Sequence, residues 1–164
     1  MEEFSFYFSF GSNMSTCRIS KNCPAGSATA EFVDAARLDN HELQFSGPDW
    51  PTWHGAVANV TQTPNENKVV WGVLWKISPE HLHQLDEQEG ESYRRITVTV
   101  MTKSGLQIPC FMYVMCDDTG ISLPSKPYLD TMVSGATEHH LPNDYIKYLE
   151  QMNHNGYDGI VIPP

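Results

Sequence analysis

Basic residues are scarce in this 164-residue sequence. Ten Lys and Arg residues stand against twenty Asp and Glu residues, and the formal net charge is -10 at pH 7. The only adjacent basic pair is Arg94-Arg95. Nucleic acids and anionic membrane surfaces are bound mainly through clusters of positive charge, so neither is expected as a partner. The negative net charge does not argue against a small anionic substrate, because such a substrate needs only local hydrogen-bond donors.

Long apolar runs are also missing. No stretch reaches the roughly 20 apolar residues that a membrane-spanning helix requires. The first residues, Met1-Glu2-Glu3-Phe4, lack the basic region and apolar core of a secretory signal. We therefore expect a cytoplasmic protein, with a single domain over residues 1–164. In that compartment the cysteines should be free thiols, namely Cys17, Cys23, Cys110 and Cys116.

Two common kinds of site lack their sequence signatures. The cysteines form no Cys-x-x-Cys pair, which argues against a zinc site. The pairs His81/His83 and His139/His140 lack the i, i+4 spacing of two metal ligands on one helix, so they are interpreted as surface histidines. No Gly-x-Ser-x-Gly elbow is present, which argues against a serine hydrolase.

A helix is predicted from residue 79 to residue 89. Ser78 can cap it, and Pro79 suits the first helical position, where its missing N–H costs nothing. Gly90 is expected to end the helix.

One carboxylate of this helix lies where an apolar residue is expected. At about 100° per residue, Leu82, Leu85, Asp86 and Glu89 fall on one stripe roughly 60° wide, with Glu89 between the two leucines. A carboxylate held in apolar surroundings should have a raised pKa, as a general acid or base requires. The alternative is an ordinary solvated acidic cluster at a helix end, although acidic residues there oppose the helix dipole.

The first strand is predicted over residues 4–10. Its phenylalanines, Phe4 to Phe10 at even positions, share one face, while Ser5, Tyr7 and Ser9 share the other, which predicts a strand with one apolar face. A Gly11-Ser12-Asn13 turn follows, and then a short helix over 14–19. Such a turn exposes backbone N–H groups that can bind an anion, although an ordinary capped turn would show the same pattern.

The rest of the chain predicts further strands and two helices. The strand over 68–77 is apolar on both faces, so it should be covered on both sides. Other strands are predicted at 30–33, 42–45 and 54–61, a hairpin at 95–102 and 107–115, a loop at 46–53, and helices at 127–137 and from 141 onwards. Six or seven strands with short helices between them indicate an α+β domain whose strands curl into a small mixed β-barrel.

Four motifs, in order, resemble those of the γ-glutamylcyclotransferase family. They cover roughly residues 5–150 and are Tyr7 to Met14, Val70 to Lys76, Leu85 to Gly90, and Pro124 to Tyr128 with the later Gly135-Ala136 and Leu141-Pro142. The resemblance implies a small β-barrel surrounded by short helices. It also implies a reaction in which a γ-glutamyl amino acid or dipeptide cyclises to 5-oxoproline and releases an amino acid, with no cofactor and no metal.

The resemblance also implies roles for individual residues. Glu89 would be the catalytic acid and base, and Tyr128 would contact the substrate. The strand-to-turn segment would line the glutamyl part of the substrate through Tyr7, Phe8, Ser9, Phe10, Gly11 and Ser12. The expected partner is therefore a small γ-glutamyl molecule, and a homodimer is left open.

Two departures from the family pattern leave alternatives open. Phe10 stands where the family usually has tyrosine, and the link from Gly90 to Tyr93 is shorter than usual, so Tyr93 could reach the pocket or be an ordinary strand aromatic. The alternatives are a γ-glutamylamine-specific or glutathione-specific cyclotransferase, or a non-enzymatic paralogue that binds a partner. A more remote alternative is a glycosidase, in which Asp86 and Glu89 would be the two catalytic carboxyl groups.

Overall fold

The computed structural model describes residues 4–20, 30–64, 67–89, 92–115 and 120–161. Its seven strands are β1 (Ser5–Ser9), β2 (Ala30–Asp39), β3 (His41–Trp50), β4 (Gly55–Gln62), β5 (Val69–Ile77), β6 (Tyr93–Thr102) and β7 (Gln107–Met115). Its helices are α1 (Thr16–Ser20), α2 (Pro79–Glu89), α3 (Lys126–Glu138) and α4 (Asn143–Glu150), and a 3-10 turn covers Ser12–Met14.

Five of the strands close into a barrel in the order β1-β5-β2-β6-β7. The pairing of β1 with β7 closes the barrel and is parallel, with Tyr7 opposite Phe111, whereas the other four pairings are antiparallel. Strands β3 and β4 form a separate antiparallel hairpin. The predicted α+β barrel with short helices is thus confirmed.

The strand β5 pairs with β1 on one side and with β2 on the other. Residues of both its faces are buried, among them Val70, Val73, Leu74 and Trp75, as its two apolar faces predicted. Gly72 is needed here, because a side chain at this position would collide with the carbonyl oxygen of Ser9.

Two local predictions were wrong. β1 is buried on both faces at its end, since Ser9 is as inaccessible as Phe8. The Ser9 hydroxyl donates to the Val73 carbonyl at 3.3 Å and accepts from the Trp75 indole N–H at 3.0 Å, so its burial leaves no unmet hydrogen bond. The predicted loop at 46–53 is instead mostly strand. The pairing of β3 with β4 shifts register after Ser46, where Gly47 adopts a φ of 103°, and β3 then continues to Trp50.

The histidine and cysteine predictions were only partly right. His81 and His139 are buried rather than on the surface, and His139 stacks on Phe32 at a centroid distance of 4.6 Å. The spacing argument placed both histidines in solvent, because it does not register ring stacking such as that of His139 on Phe32. Cys17 and Cys110 are free thiols, and burial raises the pKa of the Cys110 thiol to about 12. Cys23, Cys116 and Gly90 lie outside the described residues.

The helix predicted at 79–89 is confirmed as α2. The Ser78 hydroxyl accepts the His81 backbone N–H at 3.2 Å, as a capping residue does. Leu85 is fully buried. The helix therefore carries its last residue, Glu89, towards the end of β1 and the start of α3. In the described part of the chain, no helix combines the length and the apolar character needed to cross a membrane.

Candidate active site

A cavity of about 570 Å³ lies where the end of β1, the end of α2 and the start of α3 meet. Seven of the predicted site residues line it: Tyr7, Phe8, Phe10, Gly11, Ser12, Glu89 and Tyr128. Ser9 does not line it, because its side chain points at β5 and is bonded there. Within the described residues, no group of His, Cys, Asp or Glu has the arrangement of a metal site.

Glu89 is a weakened acid in this cavity. Burial of the carboxyl group is the largest cause and raises its pKa from 4.5 to about 7. The guanidinium of Arg18 opposes this shift, and the negative charge of Asp86 adds to it. As a residue Glu89 is only half-buried, since it faces the open cavity. At neutral pH the carboxyl group is therefore divided between its two protonation states, which suits proton transfer in both directions.

Asp86, one helical turn before Glu89, is engaged elsewhere. The Tyr113 hydroxyl donates to one of its oxygens at 2.6 Å, and Arg95 donates to the other at 3.2 Å. Tyr113 lines the cavity, but Asp86 does not. The glycosidase alternative thus lacks Asp86 as its second carboxylate.

Tyr128 is held by the backbone of two separate elements. Its hydroxyl oxygen accepts the Ala58 N–H at 2.9 Å. The backbone of Ser12 also interacts with the hydroxyl and, like the Ala58 N–H, lowers its pKa. Burial is the largest influence and raises the pKa of Tyr128 to about 12, while these two donors lower it. A Cβ atom on Gly11 would lie 2.7 Å from the hydroxyl, so glycine permits this close approach.

The turn after β1 is closed by its own hydrogen bonds. The Met14 N–H donates to the Gly11 carbonyl and the Ser15 N–H to the Ser12 carbonyl, each at 3.1 Å. The Asn13 amide donates to the Tyr7 hydroxyl at 3.2 Å. The turn therefore reaches the cavity with Gly11 and Ser12, and the backbone of Ser12 interacts with the Tyr128 hydroxyl.

Phe10 both lines the cavity and packs in the core. It is 7% exposed, and its ring lies 6.3 Å from that of Phe8. A hydroxyl added at this position would thus enter a buried position.

The sequence analysis missed several residues of the cavity. Arg18 places its guanidinium carbon 5.1 Å from the centre of the Trp53 ring. Tyr93 lines the cavity beside Trp50, with ring centroids 6.5 Å apart, which resolves the question of its reach. The two tryptophans were hidden in the segment interpreted as a loop, and α1, which carries Arg18, is too short to show a periodicity. The remaining members of the lining are Asn13, Thr52, Val57, Ala58, Gln88, Ser92 and Tyr113.

These features define a class of protein: a small β-barrel with one carboxyl group of raised pKa and several tyrosines in a cavity at its rim. Comparison with known proteins agrees. Residues 69–149 match the AIG2-like family model. A γ-glutamylcyclotransferase of Bos taurus is 38% identical over 161 residues, which cover 94% of this chain and 82% of the relative. A γ-glutamylcyclotransferase of Homo sapiens is also 38% identical, over 98% of this chain and 85% of the relative.

Structural comparison gives the same result. A solved structure of a γ-glutamyl cyclotransferase superposes with a TM-score of 0.88 at 37% identity, covering 97% of this chain and 94% of the other. The chain therefore belongs to the γ-glutamylcyclotransferase family.

Proposed function

We propose that this protein cyclises γ-glutamyl amino acids or dipeptides to 5-oxoproline and releases the free amino acid. The observation that carries the proposal is Glu89, a carboxyl group with a pKa of about 7 in a cavity of about 570 Å³. The 38% identity to curated γ-glutamylcyclotransferases supports the same reaction.

The reaction needs a base and an acid but no nucleophilic side chain. The α-amine of the substrate attacks its own γ-carbonyl carbon, and binding in a folded conformation brings the two groups together. The α-ammonium group loses one proton to water before it attacks, and Glu89 in its ionised form takes a second proton from the attacking nitrogen. It then returns that proton to the leaving nitrogen as the carbon–nitrogen bond breaks, so the enzyme ends the cycle in its starting state.

Two tyrosines of the cavity would play opposite hydrogen-bonding roles, Tyr128 as a donor and Tyr113 as an acceptor. The Tyr128 oxygen already accepts the Ala58 N–H, so its own hydrogen is left to donate into the cavity. It would stabilise the oxyanion that forms on the γ-carbonyl oxygen. Tyr113 directs its hydrogen at Asp86, so it offers the cavity only lone pairs. It would accept a hydrogen bond from the α-amine of the substrate.

The Gly11-Ser12 turn would support the anionic part of the substrate. Its backbone N–H groups were predicted to bind an anion, and the substrate offers two, the developing oxyanion and the α-carboxylate. Because the Ser12 amide interacts with the Tyr128 hydroxyl, we propose that Ser12 assists the oxyanion through that hydroxyl. Tyr7, Phe8 and Phe10 would form the wall against the glutamyl methylenes.

A single assay separates this proposal from its alternatives. The protein is incubated with γ-glutamyl-alanine, ε-(γ-glutamyl)-lysine or glutathione, and 5-oxoproline is measured. We expect γ-glutamyl-alanine to be consumed fastest. Preference for the lysine conjugate would indicate the γ-glutamylamine-specific alternative, and turnover of glutathione alone would indicate the glutathione-specific one. No 5-oxoproline from any of the three would favour the non-enzymatic paralogue.

The setting of this activity is part of the proposal. We place the protein in the cytoplasm, in glutathione and γ-glutamyl metabolism, with residues 1–164 forming one domain. The mechanism above uses neither metal nor cofactor. Whether two copies of the protein form a homodimer would be decided by measuring the molecular mass in solution.

A further inference from the structure

Arg18 lines the cavity but has no role in the proposed mechanism. Arg18 lies on α1 directly after the turn, and this short helix is fixed to α3. The Thr16 N–H donates to the Glu138 carboxylate at 3.0 Å, and the Thr16 hydroxyl lies 2.9 Å from the His139 ring nitrogen. The side chain of Arg18 packs over Trp53, which is itself buried. Both ends of the arginine are thus held in place.

The charge of the cavity makes Arg18 distinctive. Among the described residues of the lining, Arg18 is the only Lys or Arg and Glu89 is the only Asp or Glu. A γ-glutamyl amino acid carries one ammonium and two carboxylates at neutral pH, so its net charge is -1. A γ-glutamyl conjugate of a simple amine lacks the second carboxylate and is neutral. A cavity with one fixed cation and a half-ionised carboxyl group complements the anionic class.

The depth of the cavity indicates which carboxylate Arg18 meets. Tyr7, Phe8 and Tyr128 are buried and form the inner wall. Arg18 is half-buried and Gln88 is exposed, so these residues form the outer rim. The glutamyl part must lie inside, beside the residues that act on it, and the leaving amino acid must face the opening through which it departs.

We infer that Arg18 binds the carboxylate of the leaving amino acid and thereby makes the enzyme select γ-glutamyl amino acids over γ-glutamylamines. This rests on the proposed function for the identity of the substrate. The guanidinium has five N–H donors in a planar fork that matches a carboxylate, so it can bind this group beside its other contacts. The contact with Trp53 orients the fork and reduces the freedom lost on binding.

Binding of two matched ligands tests the inference without turnover. Calorimetry in the E89Q background compares γ-glutamyl-alanine with γ-glutamyl-alaninamide, which differs only in the outer carboxylate. We expect the acid to bind about tenfold or more tightly than the amide, as one charge-assisted pair provides. R18Q in the same background should bring the two affinities to within about twofold, and R18K should keep part of the difference. R94Q, a change at an exposed arginine on β6, should leave the difference intact.

Several results would overturn the inference. They are a preference for the acid that survives R18Q, the absence of any preference in the E89Q protein, and equal weakening of both ligands by R18Q. A third ligand, 4-aminobutanoyl-alanine, lacks only the glutamyl carboxylate. If R18Q fails to weaken its binding, Arg18 serves the glutamyl carboxylate instead and the inference is wrong.

The proposed function is judged separately, by 5-oxoproline formation in the wild-type protein. A protein that shows the Arg18-dependent preference but no turnover would retain the inference and lose the proposed activity. In an active protein, R18Q should also move the acid limb of the pH–rate profile upwards, because Arg18 lowers the pKa of Glu89.

Discussion

Glu89→Gln should nearly abolish 5-oxoproline formation while leaving the fold intact. Glutamine is close to glutamate in size, but it cannot exchange the proton. At pH 7 about half of the wild-type carboxyl groups are ionised, because the pKa is about 7. Loss of a general acid–base residue typically costs a factor of about 100 to 10,000. We therefore expect kcat with γ-glutamyl-alanine to fall at least about a hundredfold.

The same substitution should stabilise the protein at high pH. The pKa of Glu89 is raised from 4.5 to about 7 in the folded state, so folding favours the protonated form. The stabilising contribution of protonated Glu89 is fully present below the unfolded-state pKa. It is lost as the pH rises through the folded-state pKa. This difference corresponds to about 3 kcal/mol at most, and solvent in the cavity reduces it. Since glutamine stays neutral, the advantage of E89Q should grow between pH 5 and pH 8.

Denaturant unfolding at these two pH values, together with an assay of 5-oxoproline, measures both effects. Glu87 provides the control, because its side chain is 62% exposed and pairs with the exposed His83 on the same helix. E87Q should change turnover and stability little. Near wild-type turnover in E89Q would refute the acid–base role. A stability difference that is the same at pH 5 and pH 8 would refute the reasoning on its burial.

Three further substitutions probe the cavity wall. Y128F should lower kcat at least about tenfold with a smaller change in KM, because a donor to the oxyanion is lost; an unchanged kcat in steady-state kinetics would contradict the donor role. G11A should also lower kcat, since its Cβ would lie 2.7 Å from the Tyr128 hydroxyl, and Y128F should mask most of that effect when the two are combined. F10Y should leave kcat/KM within about threefold and slightly lower the melting temperature, because the new hydroxyl enters a buried position. A gain of tenfold or more in kcat/KM would instead show that Phe10 replaces a functional hydroxyl.

Much of this protein could be predicted from local sequence. The bounds of α2 follow from Ser78 and Pro79, whose capping and backbone preferences act within a few residues. A run that is apolar on both faces predicted β5, and alternating apolar residues predicted β6, because each pattern reports which sides of its own element are buried. The position of Glu89 between two leucines of one stripe indicated that it would face the interior.

Which side chains meet was decided only by the tertiary structure. Closure of the barrel through Tyr7 and Phe111 joins segments about a hundred residues apart, and no local periodicity contains that information. It turns Ser9 away from the cavity towards β5. It also sets Tyr113 beside Asp86, and folding of the chain places Arg18 over Trp53. The sequence thus determined most of the elements and the side of α2 on which Glu89 lies, because these depend on short-range preferences. The partners that tune and surround that residue depend on long-range packing, which only the folded chain specifies.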